Sequence, residues 1–440
     1  MRLVSISTLQ KKRQKRRNCS MYKNFFLKKQ AGILGSSFIW TVASGLVYSV
    51  TSLAFLMVVS NVLGDVQSNI YSIGMMIAQQ MLTVGRFSVR NFQVSDVKDK
   101  YSFSEYLSFR IITCSLTVLI TIIWIIVGGY RGDVAIVIAA FTIHRISESF
   151  SDLFEGLYQQ KLRLDISGKS QLVKNLLMLI SFCGMIIITK NLVLSAVVLA
   201  AESVLLLVIV DLPLLGHFSK VGLCFRLKSM WQIGVACFSL FLSSFLHAFI
   251  NNSPKYAIED YKGSGSDIGV GRFSMLFMPT FVVELLSGFT MRTWLSKMAI
   301  YHSDGNRKGF RKLVLGQLLV VLVITTGAMT FMYFLGGYFL SFIYGTNLHG
   351  YNAVNALLML SGGLVAAYTL FENIIIIYRK QHFSIIINVI ATAVAIIIVP
   401  IMTREGFIMG ATLGYVITNV VRTGGYLILA LICMCKKENN

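Results

Sequence analysis

The 440-residue sequence is poor in charged residues, which make up only 13% of it, whereas hydrophobic residues make up 55%. Its mean hydropathy of +0.70 is far from that of a soluble domain. Its seven Cys and six His show no metal-ligand spacing, so we expect no metal site and no cofactor. No gap between the apolar stretches could hold a soluble catalytic domain. The composition therefore excludes a soluble protein and argues against an enzyme.

The apolar residues are concentrated in about twelve stretches, each long enough to cross a bilayer as a helix, which takes about 20 residues. We place these spans at residues 36–60, 68–90, 107–128, 133–155, 170–189, 192–212, 230–251, 267–290, 314–340, 353–377, 383–402 and 407–434. The sequence thus predicts an all-α polytopic membrane protein.

The basic residues are distributed unevenly among the gaps between these spans. Of the 40 Lys and Arg residues, 28 lie in the odd gaps and tails, 5 in the even gaps and the remaining seven within spans. Because short cytoplasmic loops retain positive charge, this alternation predicts that both termini are cytoplasmic. It also accounts for most of the net charge of +21, so we expect no nucleic-acid partner.

The N-terminal tail contains a basic run at residues 11–17. It is not followed by a cleavage site for a signal peptide, so we do not expect it to be removed. Met21 is an alternative translation start, and the choice between Met1 and Met21 is left open. The topology is the same either way, because basic residues still precede the first span.

The fourth span has the most charged residues. Arg145, Glu148, Asp152 and Glu155 follow one another at spacings of three, four and three, which places them on one helix face. Because ionisable groups within a bilayer are costly, they normally face a cavity or a partner. We interpret this stripe as the lining of a cavity open to the cytoplasm. The alternative is a self-paired seam, with Arg145 bound to Glu148, that only holds helices together.

Five further charged residues are candidates for a polar path through the bilayer. Arg86 lies near the inner end of the second span, and Lys255 closes the outer end of the seventh. Arg272 and Glu284 lie at different depths of the eighth span, and Arg422 is near the middle of the twelfth. Cations at several depths suit an anionic substrate that has to leave water. For each residue, simple structural pairing is the alternative.

Several motifs resemble those of one family of exporters. Residues 29–40 (KQAGILGSSFIW) are similar to the start of that family's first span, and residues 62–64 (VLG) to its outer turn. The closest likeness lies in residues 251–258 (NNSPKYAI), 275–279 (MLFMP) and 285–289 (LLSGF). Together with the twelve spans, these resemble polysaccharide flippases of the Wzx type, in the multidrug/oligosaccharidyl-lipid/polysaccharide (MOP) exporter superfamily.

This resemblance implies two six-helix lobes around a central, cation-rich cavity that opens alternately to each side. The lobes would be residues 29–226 and 227–435, with cytoplasmic tails at 1–28 and 436–440. The cargo would be an undecaprenyl-pyrophosphate-linked oligosaccharide for O-antigen, capsule or teichoic acid, moved across the bacterial cytoplasmic membrane. Phosphate contacts would come from Arg86, Arg145, Lys255 and Arg272. Glu148, Asp152 and Glu284 would contact sugar hydroxyls or bind a coupling cation, with Arg422 a further cavity candidate.

The resemblance also implies that the protein acts as a monomer beside glycosyltransferases and a polysaccharide polymerase. The first span lacks the basic residue that related lipid II flippases have there, which leaves phosphate capture in the first lobe to Arg86 and Arg145. Three alternatives remain open: a cation-coupled multidrug or metabolite antiporter of the same superfamily, a membrane polymerase or acyltransferase, and a structural assembly protein.

Overall fold

The computed structural model describes residues 25–27, 33–96, 100–219, 222–261, 263 and 265–435. Within these ranges the chain is helical and contains no strand, which confirms the predicted all-α class. We number the helices α1 (Ile33–Arg86), α2 (Val89–Ser95), α3 (Phe103–Val127), α4 (Gly132–Gln160), α5 (Leu164–Thr189), α6 (Leu192–Leu206), α7 (Leu212–Leu215), α8 (Leu227–Asp260), α9 (Ser266–Phe277), α10 (Thr280–Ser303), α11 (Arg307–Phe334), α12 (Gly336–Tyr344), α13 (Asn352–Ile377) and α14 (Ser384–Cys435). A π-helical turn, Leu207–Asp211, joins α6 to α7.

The two longest helices each cross the membrane twice. At a rise of about 1.5 Å per residue, α1 and α14 would extend well beyond the roughly 30 Å of a bilayer's hydrocarbon core. Their backbones leave the helical conformation at Gly64 (φ 82°) and Phe407 (φ 46°). In α14, Asn388 and Arg422 are 34 residues apart but hydrogen-bonded at 3.0 Å, which requires the chain to reverse between them.

Within the described ranges, ten helical segments are long and apolar enough to cross a membrane. Because two of them contain a reversal, they provide twelve crossings, as the sequence predicts. Aliphatic and aromatic side chains cover the outside of the bundle; Ile188, Trp231 and Phe342, for example, are each more than 75% exposed. In a bilayer these side chains face lipid, so the chain is a multi-pass membrane protein.

The two ends of the bundle differ in charge. One end, which we call the basic end, carries Arg90, Lys161, Arg226, Arg307 and the loops around them. The opposite end consists mainly of short turns, including those at residues 128–131, 190–191 and 345–348. Which end faces the cytoplasm remains a prediction from the charge distribution. The predicted tails, 1–28 and 436–440, lie outside the described residues except for 25–27.

The helices pack as two groups. Helices α1 and α3–α7 contact mainly one another and form the first half, and helices α8–α14 form the second half. The connection at residues 216–226 joins them, close to the lobe boundary predicted at 226 and 227. The boundaries themselves stay a prediction.

The eighth span is broken where α9 ends and α10 begins, at Met278 and Pro279. A proline within a helix removes one backbone hydrogen bond and bends the chain. The two pieces have different neighbours, since α9 packs closely against α1 of the first half, whereas α10 packs mainly against α11 and α13 of the second half. The break therefore lets α10 diverge from the first half at the basic end.

Candidate functional site

The two halves are joined at the opposite end by a polar seam between α1 and α9. The Arg272 guanidinium donates to the Asp65 carboxylate at 2.9 Å, and the Thr346 hydroxyl donates to the same carboxylate at 2.8 Å. The backbone N–H of Gly271 donates to the Asn69 side chain at 2.9 Å. A Cβ at Gly271 would lie only 2.8 Å from the backbone nitrogen of Asn69, so only glycine permits this approach. The halves are therefore closed against each other at this end.

Towards the basic end the first half, together with α8 of the second half, borders an open space, which we call the central cleft. Most of its lining comes from the last turns of the second span and from α4. One residue of the second half, Ser244 of α8, also lines it. The lining residues are Gln79, Leu82, Thr83, Arg86, Ser88, Arg90, Asn91, Asp152, Gln159 and Ser244. Arg86 and Arg90 make it a cation-bearing cleft, with Asp152 as the one carboxylate in its lining.

An ionic network runs along α4 beside the central cleft. The carboxylate of Glu148 pairs with Arg86 at 2.9 Å and with Arg145 at 2.5 Å. Further along the helix are the ion pairs Arg90–Glu155 at 2.7 Å, Arg90–Asp152 at 3.5 Å and Arg110–Asp152 at 3.3 Å. Four guanidinium groups thus meet three carboxylates, so the network keeps an excess positive charge.

The charged stripe of α4 (Arg145, Glu148, Asp152 and Glu155) contains an internal ion pair and also lines two clefts. Arg145 bonds Glu148 one turn away, as the seam alternative predicts, and it also donates to the Tyr48 hydroxyl at 3.1 Å. Arg145 and Glu148 nevertheless line a second, partly open space, and Asp152 lines the central cleft. The α4 stripe therefore shows both arrangements considered from the sequence: Arg145 is paired with Glu148 on the same helix, and the stripe also lines open space.

The second space lies inside the first half, between α1, α4, α5 and α6, and we call it the first-half cleft. Most of the residues that line it carry hydroxyl, amide or charged groups, although apolar atoms provide most of the lining surface. The lining residues are Tyr48, Thr51, Ser52, Phe55, Met75, His144, Arg145, Ser147, Glu148, Ser151, Glu155, Gln171, Lys174, Asn175, Met178, Ser203 and Leu206.

A buried ion pair closes one side of the first-half cleft. The Lys174 ammonium of α5 is 2.6 Å from the Asp211 carboxylate, which lies at the end of the π-helical turn. The hydroxyls of Ser151 and Ser170 donate to the same carboxylate at 2.7 and 2.6 Å. Asp211 is 3% exposed, so these hydrogen bonds replace the water that the carboxylate loses on burial.

The second half contains its own buried cation. Arg422 is 1% exposed; it donates to Asn388 at 3.0 Å and to the imidazole Nδ1 of His247 at 3.0 Å. Its guanidinium carbon lies 4.0 Å from the ring centroid of Tyr368. Because a guanidinium only donates, Nδ1 of His247 accepts, which fixes the tautomer of that ring. No carboxylate of the described ranges lies within ion-pair distance of Arg422.

Apart from Arg86 and the residues of α4, the predicted site residues do not line the central cleft; they lie in the seam or elsewhere in the second half. Arg272 belongs to the seam and not to the central cleft. Lys255 is half-buried, with its ammonium 5.4 Å from the ring centroid of Phe277, and among the described residues it has no acidic partner. Glu284 is half-buried on α10 and likewise has no hydrogen-bonding partner there. The eight predicted site residues therefore fall into three places: the α4 region, the seam and the second half.

Sequence analysis did not select several residues that the structure brings into these places. Arg90 and Arg110 complete the ionic network, while Lys174 and Asp211 form the buried pair. All four are charged residues in or beside apolar spans, which is the signal that could have identified them. Their partners lie on other helices, so the spacing along one helix did not reveal them.

No family model matches the sequence. Solved structures with similar folds include a multidrug transporter and a lipid flippase. An inward-facing multidrug-resistance MATE family transporter of the MOP superfamily matches 90% of this chain and 99% of its own, with a TM-score of 0.63 and 13% identity. The lipid II flippase MurJ, in an inward closed conformation, matches 89% of this chain and 87% of its own, with a TM-score of 0.68 and 13% identity. The chain therefore has the fold of the MOP-superfamily transporters.

One sequence relative, like the family that the sequence motifs resemble, is named for polysaccharide biosynthesis. The capsular polysaccharide biosynthesis protein CapF of Staphylococcus aureus is 23% identical over 332 residues, which cover 74% of this chain and 82% of CapF. Together with the fold, this likeness confirms the resemblance to MOP-superfamily polysaccharide exporters found in the sequence.

Proposed function

We propose that the protein is a flippase that moves undecaprenyl-pyrophosphate-linked oligosaccharide units across the bacterial cytoplasmic membrane for surface polysaccharide synthesis. The observation that carries this proposal is the central cleft, which bears Arg86 and Arg90 and lies on the basic-end side of a closed seam. The likeness to CapF supports a polysaccharide cargo. By the positive-inside rule the basic end faces the cytoplasm, where such lipid-linked units are made.

Arg86 and Arg90 can bind phosphate without losing their present partners. Their side chains are 37% and 27% exposed, so each keeps part of its guanidinium open to the central cleft. A guanidinium has five N–H donors, and the pairs with Glu148 and Glu155 use only some of them. The remaining N–H groups can donate to the oxygens of a pyrophosphate, for which the planar fork of arginine is well suited.

The cargo's lipid tail needs a route that keeps it in the bilayer. Because α10 packs with the second half while α9 stays against α1, the basic-end part of the first span is not covered by the eighth span. A gap between α1 and α10 would let the tail remain among lipids while the phosphates and sugars enter the central cleft. Transport then requires the seam at Asp65 and Arg272 to open while the basic end closes.

Two assays of the same variants test this function. The chain should restore surface glycan to a bacterium lacking its own flippase, and the purified protein in liposomes should expose a lipid-linked oligosaccharide at the outer leaflet. Replacement of both cleft cations (Arg86→Gln, Arg90→Gln) should abolish both activities, whereas Arg86→Lys should keep part of them. Arg131→Gln, which removes an exposed cation at the opposite end, is the matched control. Normal surface glycan in the double variant, at equal protein level, would refute the proposal.

Arg145→Ala and Arg272→Ala extend the test to the other predicted contacts. Both should stop glycan display while the protein remains in the membrane. Glycosyltransferases and a polymerase would act before and after this step, and we expect the flippase itself to be a monomer.

A cation-coupled antiporter is the second candidate function. It is favoured by the half-buried carboxylate of Glu284, which has no acidic or basic partner among the described residues, and by the likeness to a multidrug transporter. Efflux of cationic dyes that is lost in Glu284→Gln, without any effect of the chain on surface glycan, would favour it over the flippase.

A further inference from the structure

The first-half cleft contains polar groups that the protein itself leaves unused. The side-chain amide of Asn175 and the hydroxyls of Thr51 and Ser52 line it, and none of them has a hydrogen-bonding partner within the described ranges. The Nδ1 atom of His144 and the Nε atom of Arg145 also lack partners there. Buried polar groups in proteins are almost always paired. The Thr51 hydroxyl, His144 Nδ1 and Arg145 Nε are buried as well as unpaired, so they are free to bond to a polar ligand in this cleft.

The charges around this cleft cancel. Its lining contains two cations, Arg145 and Lys174, and two carboxylates, Glu148 and Glu155. A phosphate only accepts hydrogen bonds and would be repelled by the carboxylates, and a metal ion would be repelled by the ammonium and guanidinium groups. A hydroxyl group both donates and accepts, so it can bond to every kind of group in this lining. The cleft therefore suits a neutral, hydroxyl-rich molecule.

One residue connects this cleft to the central cleft. One carboxylate oxygen of Glu148 is 2.9 Å from Arg86, which lines the central cleft, and the other is 2.5 Å from Arg145, which lines the first-half cleft. Two groups bound on either side of Glu148 would therefore be neighbours. In a glycolipid, the pyrophosphate and the first sugar are neighbours because they are covalently joined.

We propose that the first-half cleft binds a neutral sugar of the cargo while Arg86 and Arg90 hold its pyrophosphate. This inference rests on the proposed flippase function and adds a site for the glycan inside the first half. The central cleft recognises the anion that all such carriers share. The first-half cleft recognises the sugar, so it contributes selectivity for glycosylated over bare carrier lipid.

The test measures the binding of two lipids to the purified protein in nanodiscs by native mass spectrometry. The probes are undecaprenyl pyrophosphate and the same lipid carrying one N-acetylglucosamine. The wild-type protein should bind the glycosylated lipid more tightly. Asn175→Leu and the isosteric Thr51→Val should each weaken binding of the glycosylated lipid by about threefold to tenfold, as expected for the loss of one hydrogen bond, and leave binding of the bare lipid unchanged. Arg86→Gln should weaken both.

Matched controls come from residues outside the cleft. Asn373→Leu in α13 and Thr142→Val in α4 remove the same chemical groups elsewhere and should change neither affinity. Equal affinity of the wild-type protein for both lipids would overturn the sugar site but leave the flippase function standing. Equal losses for both lipids in Asn175→Leu and Thr51→Val, or no loss in either variant, would overturn it as well. A wild-type protein that binds neither lipid would contradict the proposed function itself.

Discussion

The pair formed by Lys174 and Asp211 allows a direct test of how the first half is stabilised. Asp211→Asn keeps the size of the side chain but removes its charge. The Lys174 ammonium, now 2.6 Å from a carboxylate oxygen, would then be an uncompensated cation within the bundle. Its remaining polar contacts, the new amide at position 211 and the Ser151 hydroxyl 2.8 Å away, are both uncharged.

The expected loss is large because both partners are buried, with the side chains of Lys174 and Asp211 only 10% and 4% exposed. Removing one member of a buried ion pair typically costs about 3–5 kcal/mol, since the other charge stays desolvated. Replacing both, as in Lys174→Met with Asp211→Leu, removes the desolvation penalty together with the attraction. The double variant should therefore lose less unfolding free energy than Asp211→Asn alone.

The measurement is reversible unfolding in mixed micelles by added SDS, followed by tryptophan fluorescence. Asp260→Asn, at an exposed carboxylate at the end of α8, is the control and should change the unfolding free energy by less than about 1 kcal/mol. A loss below about 1 kcal/mol in Asp211→Asn would refute the reasoning. A Lys174→Met/Asp211→Leu double variant less stable than Asp211→Asn would also refute it.

Three further predictions concern the ends of the bundle. Gly271→Val places a Cβ 2.8 Å from a backbone nitrogen of α1, so it should separate the halves and increase maleimide labelling of a Ser68→Cys reporter. Arg272→Gln breaks a partly exposed pair with Asp65 and should lower the unfolding free energy by less than about 1 kcal/mol. Partial burial opposes ionisation of Asp96, but hydrogen bonds from two backbone N–H groups and a tyrosine hydroxyl hold its pKa below the ordinary value. Its stabilising contribution should be complete above about pH 3.9 and be lost as the pH falls through the lower, folded-state pKa, with Asp96→Asn lacking that dependence in acid unfolding.

Each of these predictions has a control. Gly350→Val, where an added Cβ meets nothing within 4 Å, should leave the labelling unchanged. The charge exchange Asp65→Arg with Arg272→Asp should recover the stability lost in Arg272→Gln. Unchanged labelling in Gly271→Val would show that the seam tolerates a side chain there.

The sequence predicted the crossings well because they depend on local composition. Twenty apolar residues have few alternatives to a membrane helix, and the basic gaps are properties of single loops. The reversal at Gly64 falls in the gap predicted between the first two spans, and that at Phe407 falls on the first residue of the predicted twelfth span. These features need no knowledge of which helix lies beside which.

The pairing of charged residues could not be predicted in the same way. Spacing placed Arg145, Glu148 and Asp152 on one face of α4, but it could not show that Arg110 of α3 reaches Asp152 or that Arg272 meets Asp65. Such contacts depend on how each helix is rotated about its axis and on which helices are neighbours. The assignment of all eight candidates to a binding role stays a prediction.

The short turns at the opposite end have a consequence for how the protein would be seen from outside a cell. The charge distribution predicts that the basic end lies in the cytosol; the outward surface would then consist largely of turns such as 128–131, 190–191 and 345–348. An antibody, a phage or a protease would therefore have few projecting segments to bind or cleave. Epitope tags for topology mapping would therefore best be inserted near Gly263, in the connection between α8 and α9.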